Sequence, residues 1–146
     1  MNDTRHATNL ILLRARDTMD RDYARLIDIE ALASAACLSR AHFIRSFRAA
    51  FGETPHRYLQ RRRIERAMDM LRNTNKTVTE IALDVGFTSL GTFSRTFSDV
   101  LGTSPRAYRE RARDELQARV PGCMAKFWNR PSEHLQASAD ADSELA

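Results

Sequence analysis

The chain repeats itself, and the repeat decides most of what it can be. A step of 50 residues carries Ser39, Phe43, Arg45, Phe47, Gly52, Pro55 and Tyr58 onto Ser89, Phe93, Arg95, Phe97, Gly102, Pro105 and Tyr108. A step of 49 carries Leu32, Ala33, Ala36 and Leu38 onto Ile81, Ala82, Val85 and Phe87, so the second copy holds one extra residue in its turn. A repeated supersecondary unit implies a fold built twice.

Local signals say what each copy is. In the second, Thr77 and Glu80 have the spacing of a capping box in front of Ile81 and Ala82. Gly86 follows, where a chain leaving a helix often needs positive φ. Ser89 caps the next helix, whose apolar positions Phe93, Phe97, Val100 and Leu101 form one stripe. Gly102 ends it, and Ser104 with Pro105 opens another. In the first copy Asp28 is the cap, with Ile27 and Leu32 as a hydrophobic staple. That helix runs to about Ala36, and Cys37 and Leu38 make the turn, with Cys37 a small turn residue in the place of Gly86. Ser39 caps the following helix, to about Phe51, with the stripe Phe43, Phe47, Ala50 and Phe51. A short helix, a tight turn and a second capped helix make a helix-turn-helix, whose second helix lies in the DNA major groove.

The remaining segments complete an all-α architecture of about seven helices. Residues 5–20 form a first helix with Leu10, Ile11, Leu13 and Met19 available for burial. Thr54 and Pro55 start a long central helix ending near Asn73, with Tyr58, Ile64, Ala67 and Leu71 buried. Its Pro55–Arg72 stretch spans about 27 Å, and Arg62–Glu65 and Arg66–Asp69 have the spacing of surface ion pairs. The expected organisation is a first helix-turn-helix subdomain at 5–53, a linking helix at 54–73 and a second subdomain at 74–113. An extension occupies 114–146. Pro121-Gly122 and Pro131 interrupt it, Met124–Trp128 between them is expected as part of a loose extension, the alternative being a segment that docks on the body, a second copy or a partner, and Gln136–Ala146 has the Ala, Ser and acid composition of a disordered end.

The run from Ile81 to Arg109, with V-G-F at Val85–Phe87, F-S-R-T-F at Phe93–Phe97 and S-P-R-A-Y-R at Ser104–Arg109, resembles the signature of AraC-type (AraC/XylS) transcription regulators. So does Tyr58–Leu71, which is similar to the helix that joins the two units in that family. The resemblance covers roughly residues 5–112. It implies a two-headed DNA-binding domain in a sequence-specific transcription regulator that binds promoter DNA and touches RNA polymerase. It also implies a structural role for Arg63. The family usually adds a sensor domain, and with little chain ahead of Thr4 the expectation is the short, sensor-less form or a detached DNA-binding domain. Activation is the expected mode, although no residue here separates it from repression. The positions that match the family's base-reading residues are Ala41, Ile44, Arg45, Gly91, Ser94 and Arg95.

Charge agrees with a polyanionic partner. Residues 1–113 carry 20 Lys and Arg against 13 Asp and Glu, whereas 114–146 carry 3 against 6, so a basic body precedes an acidic end. Basic bodies suit phosphate backbones. On the first recognition helix the groove-facing positions are Arg40, Ala41, Ile44, Arg45 and Arg48; on the second they are Leu90, Gly91, Ser94, Arg95 and Ser98. Arg45 and Arg95 suit bidentate contact with guanine O6 and N7. Ala41, Ile44 and Leu90 suit thymine methyls. Ser39, Ser89 and nearby helix amides suit phosphates.

Other classes find less support. No nucleophile–base pair, metal-ligand spacing or Gly-rich phosphate loop marks an enzyme, and no cofactor or metal is expected. His42 lacks a second ligand three or four residues away, His56 and His134 are read as isolated too, and His6 lies in the N-terminal arm. Cys37 and Cys123 are expected as reduced thiols. No apolar run approaches a membrane span, no signal peptide opens the chain, and a cytoplasmic protein is expected. The alternative is a helical protein-binding adaptor or antagonist that has lost DNA binding. For the DNA reader, a monomer is expected on the site.

Overall fold

The computed structural model describes residues 2–119. Seven helices and no strand are found among them: α1 (Asn2–Arg21), α2 (Ile29–Ala35), α3 (Arg40–Phe51), α4 (Pro55–Asn73), α5 (Val78–Asp84), α6 (Leu90–Leu101) and α7 (Pro105–Arg119). Residues 1–109 make one compact unit and a second begins at Glu110; of the second, only the end of α7 is described. The readings of Cys123, Met124–Trp128, His134 and Gln136–Ala146 lie outside the described residues.

The caps read from the sequence set the helix starts. Asp28 accepts from the Glu30 N–H, Ser39 from His42, Thr54 from Arg57 and Ser89 from Thr92. Thr77 and Glu80 close a reciprocal capping box. Gly52 and Gly102 end α3 and α6 at φ 79 and 70°, a left-handed conformation in which a side chain is strained. The helices α2 and α5 have seven residues each. Helices that short are not stable alone in water, so packing must hold them.

That packing forms two cores. Ala33, Ala36, Phe43 and Phe47 join Leu12, Ala15, Met19, Tyr58 and Leu59 in the first. Ala82, Val85, Phe93 and Phe97 join Ile64, Ala67, Leu71, Ile81 and Phe87 in the second. The four Phe rings are 0% exposed. Burying each ring stabilises by roughly 1.5–3 kcal/mol, and edge or tilted contacts at 5.9 and 5.7 Å within the Phe43–Phe47 and Phe93–Phe97 pairs add to it. One helix serves both cores: the first half of α4 supplies Tyr58 and Leu59, the second half Ile64, Ala67 and Leu71.

Two expectations about burial and one about an ion pair are corrected. In α1 the inward stripe is Leu12, Ala15 and Met19, while Leu10 and Leu13 are 58% and 36% exposed. The same spacing recurs 52 residues later in Ile64, Ala67 and Leu71. The second half of α4 is thus the repeat partner of α1, and the repeat reaches further back than the cap-to-cap match suggested. Ala50 and Val100 are exposed, because the last turns of α3 and α6 point their Phe51 and Leu101 sides inward; the Phe51 ring lies 4.6 Å from Phe47. Finally, Arg66 lies over the Tyr23 ring at 5.5 Å rather than pairing with Asp69, which accepts from Asn73 instead.

A polar network ties α1 to α4. Asp20 accepts from the Tyr58 hydroxyl at 2.7 Å and from Arg62 Nε at 2.9 Å, and Arg62 also pairs with Glu65 at 2.6 Å, as the sequence spacing predicts. Arg61 bridges Glu53 and Glu65. Burial, then the acceptor Asp20, push the Tyr58 phenol up to about 12.

Candidate nucleic-acid interface

The buried rings determine which way α3 and α6 face. With Phe43 and Phe47 turned into the first core, the opposite side of α3 presents Arg40, Ala41, Arg45 and Arg48 to solvent, with Ile44 half-buried at its edge. With Phe93 and Phe97 turned into the second core, α6 presents Leu90, Gly91 and Arg95, with Ser94 and Ser98 half-buried. Ser39 and Ser89 sit exposed at the two N-termini with their side-chain oxygens already accepting a backbone N–H. Each helix therefore gathers its sequence-predicted set on one outward face.

Among the arginines, position separates two kinds. Arg16, Arg61, Arg62, Arg63, Arg66 and Arg72 are held by carboxylates, carbonyls or aromatic rings. Arg40, Arg45, Arg48 and Arg95 hold no hydrogen bond, ion pair or ring contact among the described residues. An exposed guanidinium keeps five donors in a planar fork that matches a phosphate or the edge of guanine. The α3 helix carries three such groups and no acid, whereas α6 has Arg95 with Asp99 one turn on. The two faces are equivalent in place and unequal in charge. At Gly91 a Cβ would meet nothing within 4 Å, so the second face has an opening where a side chain fits.

One further pattern runs through the helix starts. α1, α2 and α5 carry an acid in the first turn, Asp3, Glu30 and Glu80, as a helix dipole favours. α3, α4, α6 and α7 carry none, and Arg40, Arg57 and Arg106 stand in three of those first turns. Cations there run against the dipole, and helix starts without acids accept an anion. The signal is legible in the sequence, since His56 and Arg106 occupy matching places in the repeat, but it consists of missing acids and not of a motif.

Cys37 is exposed and stands at φ 57°, the conformation its partner Gly86 adopts at 98°. The turn reading of Cys37 thus has a backbone basis. Among the described residues, no group of three His, Cys, Asp or Glu side chains is placed to hold a metal ion, and no helix is long and apolar enough to cross a membrane.

A sequence profile for a family described as "Helix-turn-helix domain" matches residues 32–111. The MmsAB operon regulatory protein of Pseudomonas aeruginosa is 38% identical over 91 residues, which are 62% of this chain and 29% of that protein. The transcriptional activator RhaS of Escherichia fergusonii is 34% identical over 99 residues, 68% of this chain and 36% of that protein. The chain spans about a third or less of the length of the first curated relatives it matches, between 28 and 33%. Among solved structures, an AraC-type regulator from Chromobacterium violaceum superposes with a TM-score of 0.66 at 27% identity, covering 71% of this chain and 93% of that one. The DNA-binding domain of AdpA, solved in complex with a target DNA, superposes at 0.63 with 30% identity, covering 74% and 94%. With its two capped helices α3 and α6 on two Phe-lined cores, the chain belongs to the helix-turn-helix family of AraC-type DNA-binding domains.

Proposed function

We propose that this chain is a sequence-specific DNA reader that regulates transcription, placing α3 and α6 in adjacent major-groove segments of promoter DNA. The observation that carries the reading is the pair of unpartnered guanidinia, Arg45 and Arg95, at equivalent places on two helices whose opposite faces are locked by buried Phe rings. Arg45 and Arg95 take guanine edges. Ala41, Ile44, Leu90, Gly91 and Ser94 complete the base-facing surfaces. Arg40, Arg48, Ser98, Ser39, Ser89 and the acid-free starts of α4 and α7 hold the phosphates that fix register. AdpA's domain, similar in fold and bound to DNA, supports this use of the architecture. The regulator acts in the cytoplasm as a monomer on its site and contacts RNA polymerase beside it. The test is selection of bound duplexes from a random pool, followed by titration against salt. A chain that contacts about 5–8 phosphates gives a log–log slope of roughly −5 to −7. No enriched sequence and a slope near zero would leave the protein-binding adaptor instead.

A further inference from the structure

The helix α4 joins the two heads along the chain, and the Arg63 side chain in its middle anchors a second contact between them. The α1–α2 connection belongs to the first head, and it reaches across to the turn of the second. Arg63, in the middle of α4 and only 9% exposed, donates from Nε to the Tyr23 carbonyl at 2.7 Å and from Nη2 to the Arg25 carbonyl at 2.9 Å. Its guanidinium lies 5.9 Å from the ring of Phe87, in the second core. Gly86 completes the contact. A Cβ there would lie 2.9 Å from the Ala24 carbonyl oxygen and 3.0 Å from Arg63 Nε. The repeat supplies a control: Cys37, in the equivalent turn of the first head, carries a side chain because that turn faces solvent. Glycine at 86 thus answers a close approach between heads as well as a positive φ. Tyr23 packs against both cores, and Arg66 lies over its ring.

We infer that Arg63 is a positioning residue for recognition: by holding the α1–α2 connection against the Gly86 turn, it sets the spacing and angle between α3 and α6, and with them the spacing of the two DNA segments the chain accepts. This rests on both helices entering DNA. The chemistry suits the task. Two carbonyls of one connection need two donors in fixed directions, which a planar guanidinium provides and a single ammonium does not. A rigid joint concentrates the second head at one distance from the first, whereas a loose one spreads it over many.

The experiment compares the full chain with Arg63→Met, which keeps the stem and removes the donors, and with the milder Arg63→Lys. Folding is checked by thermal melting. Each protein is titrated on selected sites whose two segments are moved apart or together by one or two base pairs, and on a duplex holding the Arg45 segment alone. The wild-type chain is expected to prefer one spacing. Arg63→Met is expected to lower that preference by about ten-fold or more while keeping wild-type affinity for the single segment, and Arg63→Lys to fall between. A readout without DNA separates this inference from the DNA reading. Spin labels on Cys37 and on Thr79→Cys, in a Cys123→Ser background, report the distance between heads. The distribution is expected to be narrow in the wild type and broader in both Arg63 variants. Folded Arg63 variants with the wild-type distance distribution overturn the proposal, whether or not DNA binds. So does unchanged spacing preference in a folded variant.

Discussion

At the scale of single residues, α3 and α6 each have an outward side proposed to read and an inward side that packs, and substitutions on the two sides should fail differently. Arg45→Ala and Arg95→Ala should each cost about 1–3 kcal/mol on the best site and relax preference at one position, with melting unchanged. Phe47→Ala and Phe97→Ala should lower stability by about 3–5 kcal/mol, since both rings are 0% exposed. Arg variants that melt early yet keep their specificity would reverse the assignment of faces. Tyr58 offers a test of the network beneath the first head. Its hydroxyl donates to the Asp20 carboxylate, and such a bond contributes about 1.5–3 kcal/mol. The phenol stands raised from 10 to about 12 in the folded protein. A raised group gives its full stability below the unfolded value and loses it as pH climbs through the folded one. The difference in unfolding free energy between the wild type and Tyr58→Phe should therefore hold to about pH 10 and fade by about pH 12; denaturant melts across that range measure it, and a difference that grew with pH would contradict the assignment.

At the scale of elements, the caps made most boundaries legible before any coordinates. Thr77 with Glu80, Ser39, Ser89 and Thr54 each mark a helix start through a side-chain oxygen that the first turn's orphan amides need. The Phe stripes were legible for the same local reason. Faces set by tertiary contact were harder. Leu10 and Leu13 look as apolar as Leu12, and only packing against α3 and α4 selects Leu12, Ala15 and Met19. The close approach at Gly86 could not be read either, since it depends on a backbone carbonyl 62 positions earlier in the chain, at Ala24. Two turn and helix residues have room to improve. Cys37 holds a left-handed conformation that strains any side chain, so Cys37→Gly should raise stability by up to about 1 kcal/mol. Gly91 stands inside α6 with open space beside it, and Gly91→Ala should stabilise the free protein by about 1 kcal/mol. Denaturant melts read both, and a loss of stability would contradict the strain assigned to Cys37 or the open space beside Gly91.

At the scale of the whole molecule, a single helix-turn-helix must dimerise to read two groove segments; under the proposed function the two heads of one chain take that role. The 19 residues of α4 span about 28 Å, against roughly 34 Å between successive major-groove segments on one face of DNA. For both heads to engage at once, tilt of the helices or a bend in the DNA must make up the difference, and bending a short site costs on the order of 1–6 kcal/mol. The heads are also unequal. α3 brings three arginines and no acid, and α6 one arginine and Asp99. The Arg45 head should contribute more affinity, and the site should be asymmetric. The most direct test is the footprint of a selected site, taken together with the stoichiometry of the complex from ultracentrifugation, for the wild type, Arg45→Ala and Arg95→Ala. One chain per duplex, covering two adjacent major-groove segments of different sequence, with each variant losing protection over a different segment, is the predicted result. Two chains bound obligatorily to a palindrome, with both variants losing the same symmetric pair of contacts, would contradict the account.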